Sequence, residues 1–187
     1  MNYLYTTILL LFILPQAQAM ELKIEPVYGV ERTLRLFPEP AKYRTEVFYG
    51  VRGLYGTPGF SLELELNESK SNEQFPDEDL KVDYLSRKAL LGFRSYLAKT
   101  SMLGFFVRFG ARAEKKSREI EEAGVKRTED TPLSFDPYAG VGITIVASTF
   151  FALNAGATMV YNKNAEDESE KYDTRYSFSF SVKAGSK

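Results

Sequence analysis

The chain has 187 residues and a formal charge of −1, with no cysteine, no histidine and no tryptophan. Lack of cysteine excludes a disulfide framework, thiolate metal sites and a thiol nucleophile; lack of histidine excludes the serine–histidine triad and imidazole ligation. Near-neutral charge argues against a nucleic-acid partner, which selects for a basic excess.

Residues 1–19 read as an export signal. Ile8 to Leu14 is an unbroken apolar run, and Ala17-Gln18-Ala19 follows Pro15. This is a short hydrophobic region closed by a small-residue cleavage site. No Lys or Arg precedes the run, so the amino terminus alone supplies positive charge there. The run is well short of the roughly 20 residues that a spanning helix needs. Cleavage after Ala19 leaves a domain over 20–187, with no cysteine after the cut to carry a lipid. Past Met20 the best apolar stretch, Ile143-Thr144-Ile145-Val146-Ala147, is too short for a membrane helix. A membrane-resident form of this chain must be a closed barrel, the other structure that pairs every backbone group in lipid.

Period-two alternation predicts the strands in chain order. Leu22 to Glu31 sets Leu22, Ile24, Tyr28 and Val30 against Lys23, Glu25, Gly29 and Glu31. Arg44 to Tyr55 sets Thr45, Val47, Tyr49, Val51 and Tyr55 against Arg44, Glu46, Gly50 and Arg52. From Phe60, Leu62, Leu64 and Leu66 alternate with Ser61, Glu63, Glu65 and Asn67. Val82 to Tyr96 sets Ala89, Leu91 and Phe93 against Lys88, Gly92 and Arg94, with Asp83 and Arg87 interrupting its upper part. Leu103 to Ala113 is the clearest, with Phe105, Val107 and Phe109 opposite Gly104, Phe106, Arg108, Gly110 and Arg112. Phe135 to Ala147, Phe151 to Tyr161 and Tyr172 to Val182 follow the same rule. Eight strands of roughly nine to twelve residues match the length of a tilted strand crossing a bilayer.

Three connections are tight, Gly56–Gly59, Ala98–Ser101 and Ala147–Phe150. Four are long and charged, Thr33–Lys42, Glu68–Leu80, Glu114–Pro132 and Lys163–Lys171. Long and short alternate strictly, which places all long loops at one end of an antiparallel barrel. Glu114 to Arg127 fits a short helix with i, i+4 charge pairs or an extension of the hairpin.

The two faces decide where the barrel lives. One face is apolar and aromatic on all eight strands. The other carries Glu25, Glu46, Arg52, Glu63, Glu65, Lys88, Arg94, Arg108, Arg112, Asp136, Arg175 and Lys183, with many glycines. A soluble barrel filled with both signs of charge would bear a large desolvation cost, whereas lipid outside and a polar lumen inside suit this pattern. The predicted lumen network is Glu25, Arg52, Glu63, Lys88, Arg94 and Arg108, with Arg52 near Glu25 and Glu63 opposite Lys88 or Arg94. Tyr55, Phe60, Phe151, Tyr172 and Tyr176 are predicted as lipid-facing aromatics at the membrane interfaces.

In this architecture the chain resembles the small eight-stranded outer-membrane barrels typified by the membrane domain of outer membrane protein A. The resemblance covers Glu21 to about Ala184 and rests on strand pattern, not on a signature string. It implies an all-β, antiparallel, up-and-down transmembrane barrel in a bacterial outer membrane, surrounded by outer-membrane lipid. The last strand, Tyr172 to Val182 with Phe178 and Phe180, resembles the C-terminal signal read by the barrel-assembly machinery, though Ala184-Gly185-Ser186-Lys187 replaces a terminal aromatic.

Catalysis is not expected. Barrel enzymes acting on lipid resemble one another in using histidine with serine, and this chain has no histidine. Glu63 and Glu65 share a strand face as a carboxylate pair could, but pairing with lumen Arg and Lys is the expected use. Asp77-Glu78-Asp79 and Glu166-Asp167-Glu168 lack the spacing of a calcium loop and read as solvated charge. No cofactor or metal is expected. Three roles remain open: a structural or surface-interaction barrel meeting an extracellular ligand through its loops, a small channel, and a soluble periplasmic ligand-binding barrel. Amino-terminal sequencing of the exported protein should begin at Met20; a chain still starting at Met1 in the envelope would refute the cleavage.

Overall fold

The computed structural model describes residues 20–35, 42–75, 80–148, 150–162 and 171–182. The export signal, the acidic runs at 77–79 and 166–168, and Lys183 with the tail after it lie outside the described residues. Nine strands follow one another: β1 (Glu21–Arg35), β2 (Lys42–Gly56), β3 (Phe60–Phe75), β4 (Leu80–Lys99), β5 (Leu103–Glu122), β6 (Val125–Asp130), β7 (Ser134–Val146), β8 (Phe151–Tyr161) and β9 (Tyr172–Val182). All pairings are antiparallel, and sequence neighbours pair except for β6 and β7. The lower part of β5 pairs with β7 and its upper part with β6, and β9 returns to β1. With β4 joined to β5, the sheet closes on itself as an eight-stranded up-and-down barrel, and β6 is an extra segment above it.

The alternation becomes an inside and an outside. Leu62, Leu64 and Leu66 on β3 are 42%, 47% and 55% exposed, while Glu63 and Glu65 between them are fully buried. The same inversion of ordinary globular burial repeats around the wall with Leu91, Phe105, Val141, Leu153 and Phe178. An apolar surface of this extent requires an apolar surrounding, and the soluble-barrel reading fails on it.

Several strands run further than alternation indicated. β3 continues to Phe75, β4 starts at Leu80, and β5 continues to Glu122. Most of the connections read as Glu68–Leu80 and Glu114–Pro132 are therefore strand. The helix option for Glu114 to Arg127 is replaced by a hairpin that turns at Ala123 and Gly124, with φ of 48° and 79°. The reason lies in height. Glu68, Arg87 and Lys115 are register neighbours on the outer face, and Arg87 Nε donates to Glu68 Oε2 at 3.0 Å. The Tyr49 hydroxyl donates to Glu68 Oε1 at 3.2 Å, so an aromatic ring marks the step from apolar to charged. Above this row outward positions meet water, and Asp83 and Arg87 no longer signal the end of a strand.

Inside, large rings lie across glycines of other strands. A Cβ at Gly142 would stand 2.2 Å from Phe106 Cζ, and one at Gly92 would stand 2.5 Å from the Tyr138 hydroxyl. Phe48, Leu54, Leu90, Phe106 and Val160 also point inward, giving the polar lumen an apolar share. At the β1–β9 seam, pairing passes from Ile24↔Val182 to Val27↔Ser179, with Pro26 between. Proline has no N–H to complete a rung there. Gly142→Ala should destabilise the barrel by about 1–3 kcal/mol, the usual scale for overpacking, and so lower its unfolding midpoint in detergent. An unchanged midpoint would mean that Phe106 does not need this space.

Candidate functional site

Two charged layers fill the barrel, built from inward positions that register brings together. In the lower layer Glu25, Arg52 and Glu65 are direct cross-strand partners on β1, β2 and β3. Arg52 Nη2 donates to Glu65 Oε2 at 2.7 Å, and Arg52 Nη1 donates to Glu25 Oε2 at 3.3 Å. Glu63 Oε2 accepts from Arg94 Nε at 3.0 Å, and Glu63 Oε1 forms an ion pair with Arg108 at 2.5 Å. Arg94 and Arg108 are themselves direct neighbours across β4 and β5, so Glu63 keeps two like charges side by side. Arg108 also reaches Glu65 at 3.0 Å.

Neutral groups complete the ring. Asn154 Nδ2 and Ser179 Oγ donate to Glu25 at 3.2 and 2.9 Å. Thr144 Oγ1 donates to Asn154 Oδ1 at 2.7 Å and lies 3.0 Å from the Tyr96 hydroxyl. Side-chain bonds therefore run through all eight walls of the barrel.

The upper layer centres on Glu31 and Arg112. Glu31 accepts from Lys88 at 2.8 Å, Arg112 at 2.8 Å and Arg175 at 3.3 Å. Arg112 reaches Glu114, Asp136 and Asp173 at 3.2, 3.3 and 3.1 Å. Lys88 lies 3.4 Å from Glu114, which also accepts from Ser86 Oγ at 2.7 Å. Arg175 joins the layers, because its Nη2 donates to Glu65 Oε1 at 2.9 Å.

The structure brings together Glu25, Arg52, Glu63, Arg94 and Arg108. It places Lys88 apart from them, in the upper layer. Lys88 is register partner of Asn67, whereas Glu63 faces Gly92; of the two partners expected for Glu63 the structure has Arg94, while Lys88 pairs with Glu31. Sequence reasoning missed Glu114, which it put in a loop, and missed the central parts of Glu31, Glu65, Arg112, Arg175 and Asp173. Their inward parity was visible in the alternation; their partners across the lumen were not. Guanidiniums flank both Glu63 and Glu65, so the two carboxylates on this strand face meet Arg side chains as expected from the sequence.

The five aromatics named from sequence all face outward. Tyr55, Phe60 and Phe151 adjoin the short turns, with Phe60 stacked 5.4 Å from Phe93 and Phe151 lying 6.0 Å from Phe180. Tyr172 is at the opposite end, 5.6 Å from Tyr161. Tyr176 pairs with Val30, one outward step below the Arg32↔Thr174 pair.

No protein-family model and no curated protein matches the sequence. Solved structures do match the fold. The attachment invasion locus protein Ail of Yersinia pestis has a TM-score of 0.58 at 8% identity, covering 88% of this chain and 98% of its own. Ail in complex with the heparin analogue sucrose octasulfate gives 0.60 at 10% identity, covering 88% and 99%. Neisserial surface protein A gives 0.57 at 12% identity, covering 89% and 99%. Outer membrane protein OprG from Pseudomonas aeruginosa gives 0.56 at 9% identity, covering 89% and 94%. The chain has the fold of the small eight-stranded outer-membrane barrels.

Removing one member of a buried ion pair strands the other, at roughly 3–5 kcal/mol. Glu63→Ala should therefore lower the unfolding temperature in detergent strongly, while Glu119→Ala in the exposed hairpin should leave it in place. Equal midpoints for the two variants would show that the lumen pairs add nothing to stability.

Proposed function

We propose that the chain is an integral outer-membrane barrel, exported through residues 1–19 and inserted by the barrel-assembly machinery. It acts at the cell surface through its charged hairpins, without catalysis and without an open pore. The short turns after β2, β4 and β7, together with both ends of the domain, face the periplasm; the extended ends of β3, β4 and β5 with β6 face the exterior.

One observation carries this reading. The apolar exterior is committed to lipid and the lumen charges are committed to one another, so the sheet above the Glu68–Arg87–Lys115 row is the part left in water. An eight-stranded barrel has an interior that side chains just fill, and here ion-paired layers fill it. The projecting sheet carries exposed charge of both signs: Lys115 lies 3.2 Å from Asp130, and Lys126 lies 3.3 and 3.5 Å from Glu119 and Glu121. Such pairs contribute little to folding and exchange partners easily, which suits weak, salt-sensitive surface contacts. Attachment by Ail, and its complex with a sulfated sugar, support a surface role on this fold.

Cells expressing the chain should adhere to immobilised extracellular-matrix protein or heparin, and adhesion should fall as salt is raised. Replacing Ser117 to Asp130 by a short turn should preserve heat-modifiable gel migration and remove the adhesion. Adhesion that survives this deletion but is lost with a lumen variant, or steady single-channel conductance from the purified protein, would refute the reading.

A further inference from the structure

The projecting sheet ends in an open edge. β6 bonds β5 on one side, and among the described residues no strand pairs with its other side. The hairpin turns on two residues, Ala123 and Gly124, both at positive φ, so Glu122 and Val125 close it as a hydrogen-bonded pair. Alternation along the strand then gives the N–H and C=O groups of Val125, Arg127 and Glu129 to β5. Those of Lys126, Thr128 and Asp130 point to the open edge.

The charges on this edge are self-complementary about Thr128. Lys126-Arg127-Thr128-Glu129-Asp130 reads plus, plus, neutral, minus, minus. When two copies run antiparallel with Thr128 opposite Thr128, Lys126 meets Asp130 and Arg127 meets Glu129, each pair on a single face. That register also matches all three free backbone sets, Lys126 to Asp130, Thr128 to Thr128 and Asp130 to Lys126. A shift by two residues leaves both lysines facing threonine, and a parallel arrangement stacks like charge on like charge, which is unfavourable in a sheet. Proteins commonly blunt an exposed edge with charges that repel a second copy; these charges attract one. The side chains are available: Lys126, Arg127, Glu129 and Asp130 are 60%, 53%, 39% and 53% exposed, in ion pairs of the surface kind.

Symmetry determines where the second copy sits. Antiparallel neighbours in a sheet are related by a two-fold axis along the sheet normal. The barrel wall stands on the membrane, so that normal lies in the membrane plane, and the rotation turns the partner barrel upside down. Two copies in the same bilayer cannot satisfy this relation; two copies in facing bilayers can. The segment from Glu114 to Glu122 rises on the order of 20 Å at about 3.3 Å per residue and a tilt of about 40°, which lifts β6 clear of the lipid.

We propose that β6 is a self-recognition strand, pairing antiparallel about Thr128 with the β6 of a second copy on an opposing membrane. A single six-residue pairing is weak, and facing membranes that carry many copies turn it into avidity. The proposal rests on the surface role given above and adds its partner.

Zwitterionic phosphatidylcholine vesicles carrying the full barrel test it by light scattering. Wild-type vesicles should cluster. Thr128→Pro, which removes the N–H on the axis at an edge position that tolerates proline, should abolish clustering while heat-modifiable migration stays intact. Lys126→Glu/Arg127→Glu vesicles and Glu129→Lys/Asp130→Lys vesicles should each stay dispersed alone and cluster when mixed. Adding Thr128→Pro to one member of that mixture should disperse it again. Thr128→Cys introduces the sole thiol of the chain and should yield an oxidised dimer from clustered vesicles, since a hydrogen-bonded pair lies within disulfide range. Dispersed wild-type vesicles, or clustering by Thr128→Pro equal to wild type, would overturn the proposal. If Thr128→Pro still clusters while deletion of Ser117 to Asp130 abolishes adhesion, self-pairing falls and the loop-borne surface role stands.

Discussion

Hydrocarbon offers the backbone no hydrogen-bond partner, and everything else in this molecule follows from that. The sheet has to close, and closure at eight strands leaves a lumen about as wide as two side chains reaching toward each other. Period-two geometry sends every second residue into that space. Charges that enter it lose their water and hold only if opposite charges arrive at the same height. Glu65, shared by Arg52, Arg108 and Arg175, shows how far the sharing goes. Above the lipid the constraint is lifted. The same strands continue there as an open sheet, which can afford outward charges and an unpaired edge.

Packing by sharing explains two contacts that look wrong in isolation. Arg94 sits directly across from Arg108, and Glu31 sits directly across from Glu46. Glu63 offsets the two guanidiniums by forming an ion pair with each. Glu46 turns to Ser69, whose hydroxyl donates at 2.6 Å, and to Arg44, while Glu31 turns to Lys88 and Arg112. The Arg44 guanidinium then covers the Tyr84 ring at 3.7 Å, at the mouth of the barrel. Charges are shared among several partners in each layer, not held in isolated pairs.

Much of this was legible in the residues, and what was not has a physical cause. The lipid-embedded strands Phe151–Tyr161 and Tyr172–Val182 have the bounds that alternation assigns them, because lipid on one side and a packed lumen on the other enforce the period along their whole length. β3, β4 and β5 outrun their alternation because polarity stops distinguishing the faces once both meet water. Glu114 looked like loop for that reason, its neighbours Lys115 and Lys116 being charged as well. Lumen partners were harder to read, since parity tells a residue's side of the wall and not its height. Strand stagger sets the height, and it lifts Lys88 a full layer above Glu63.

Pro26 gives the lumen a second meaning. Its ring interrupts the backbone rungs at the seam between the first and last strands, where the cylinder becomes a cylinder. Directly behind that gap Ser179 on β9 donates to Glu25 on β1 at 2.9 Å and accepts from Arg52 at 3.3 Å. Side chains thus close the circle at the point where the main chain cannot, and the polar filling works as the clasp of the barrel as well as its plug.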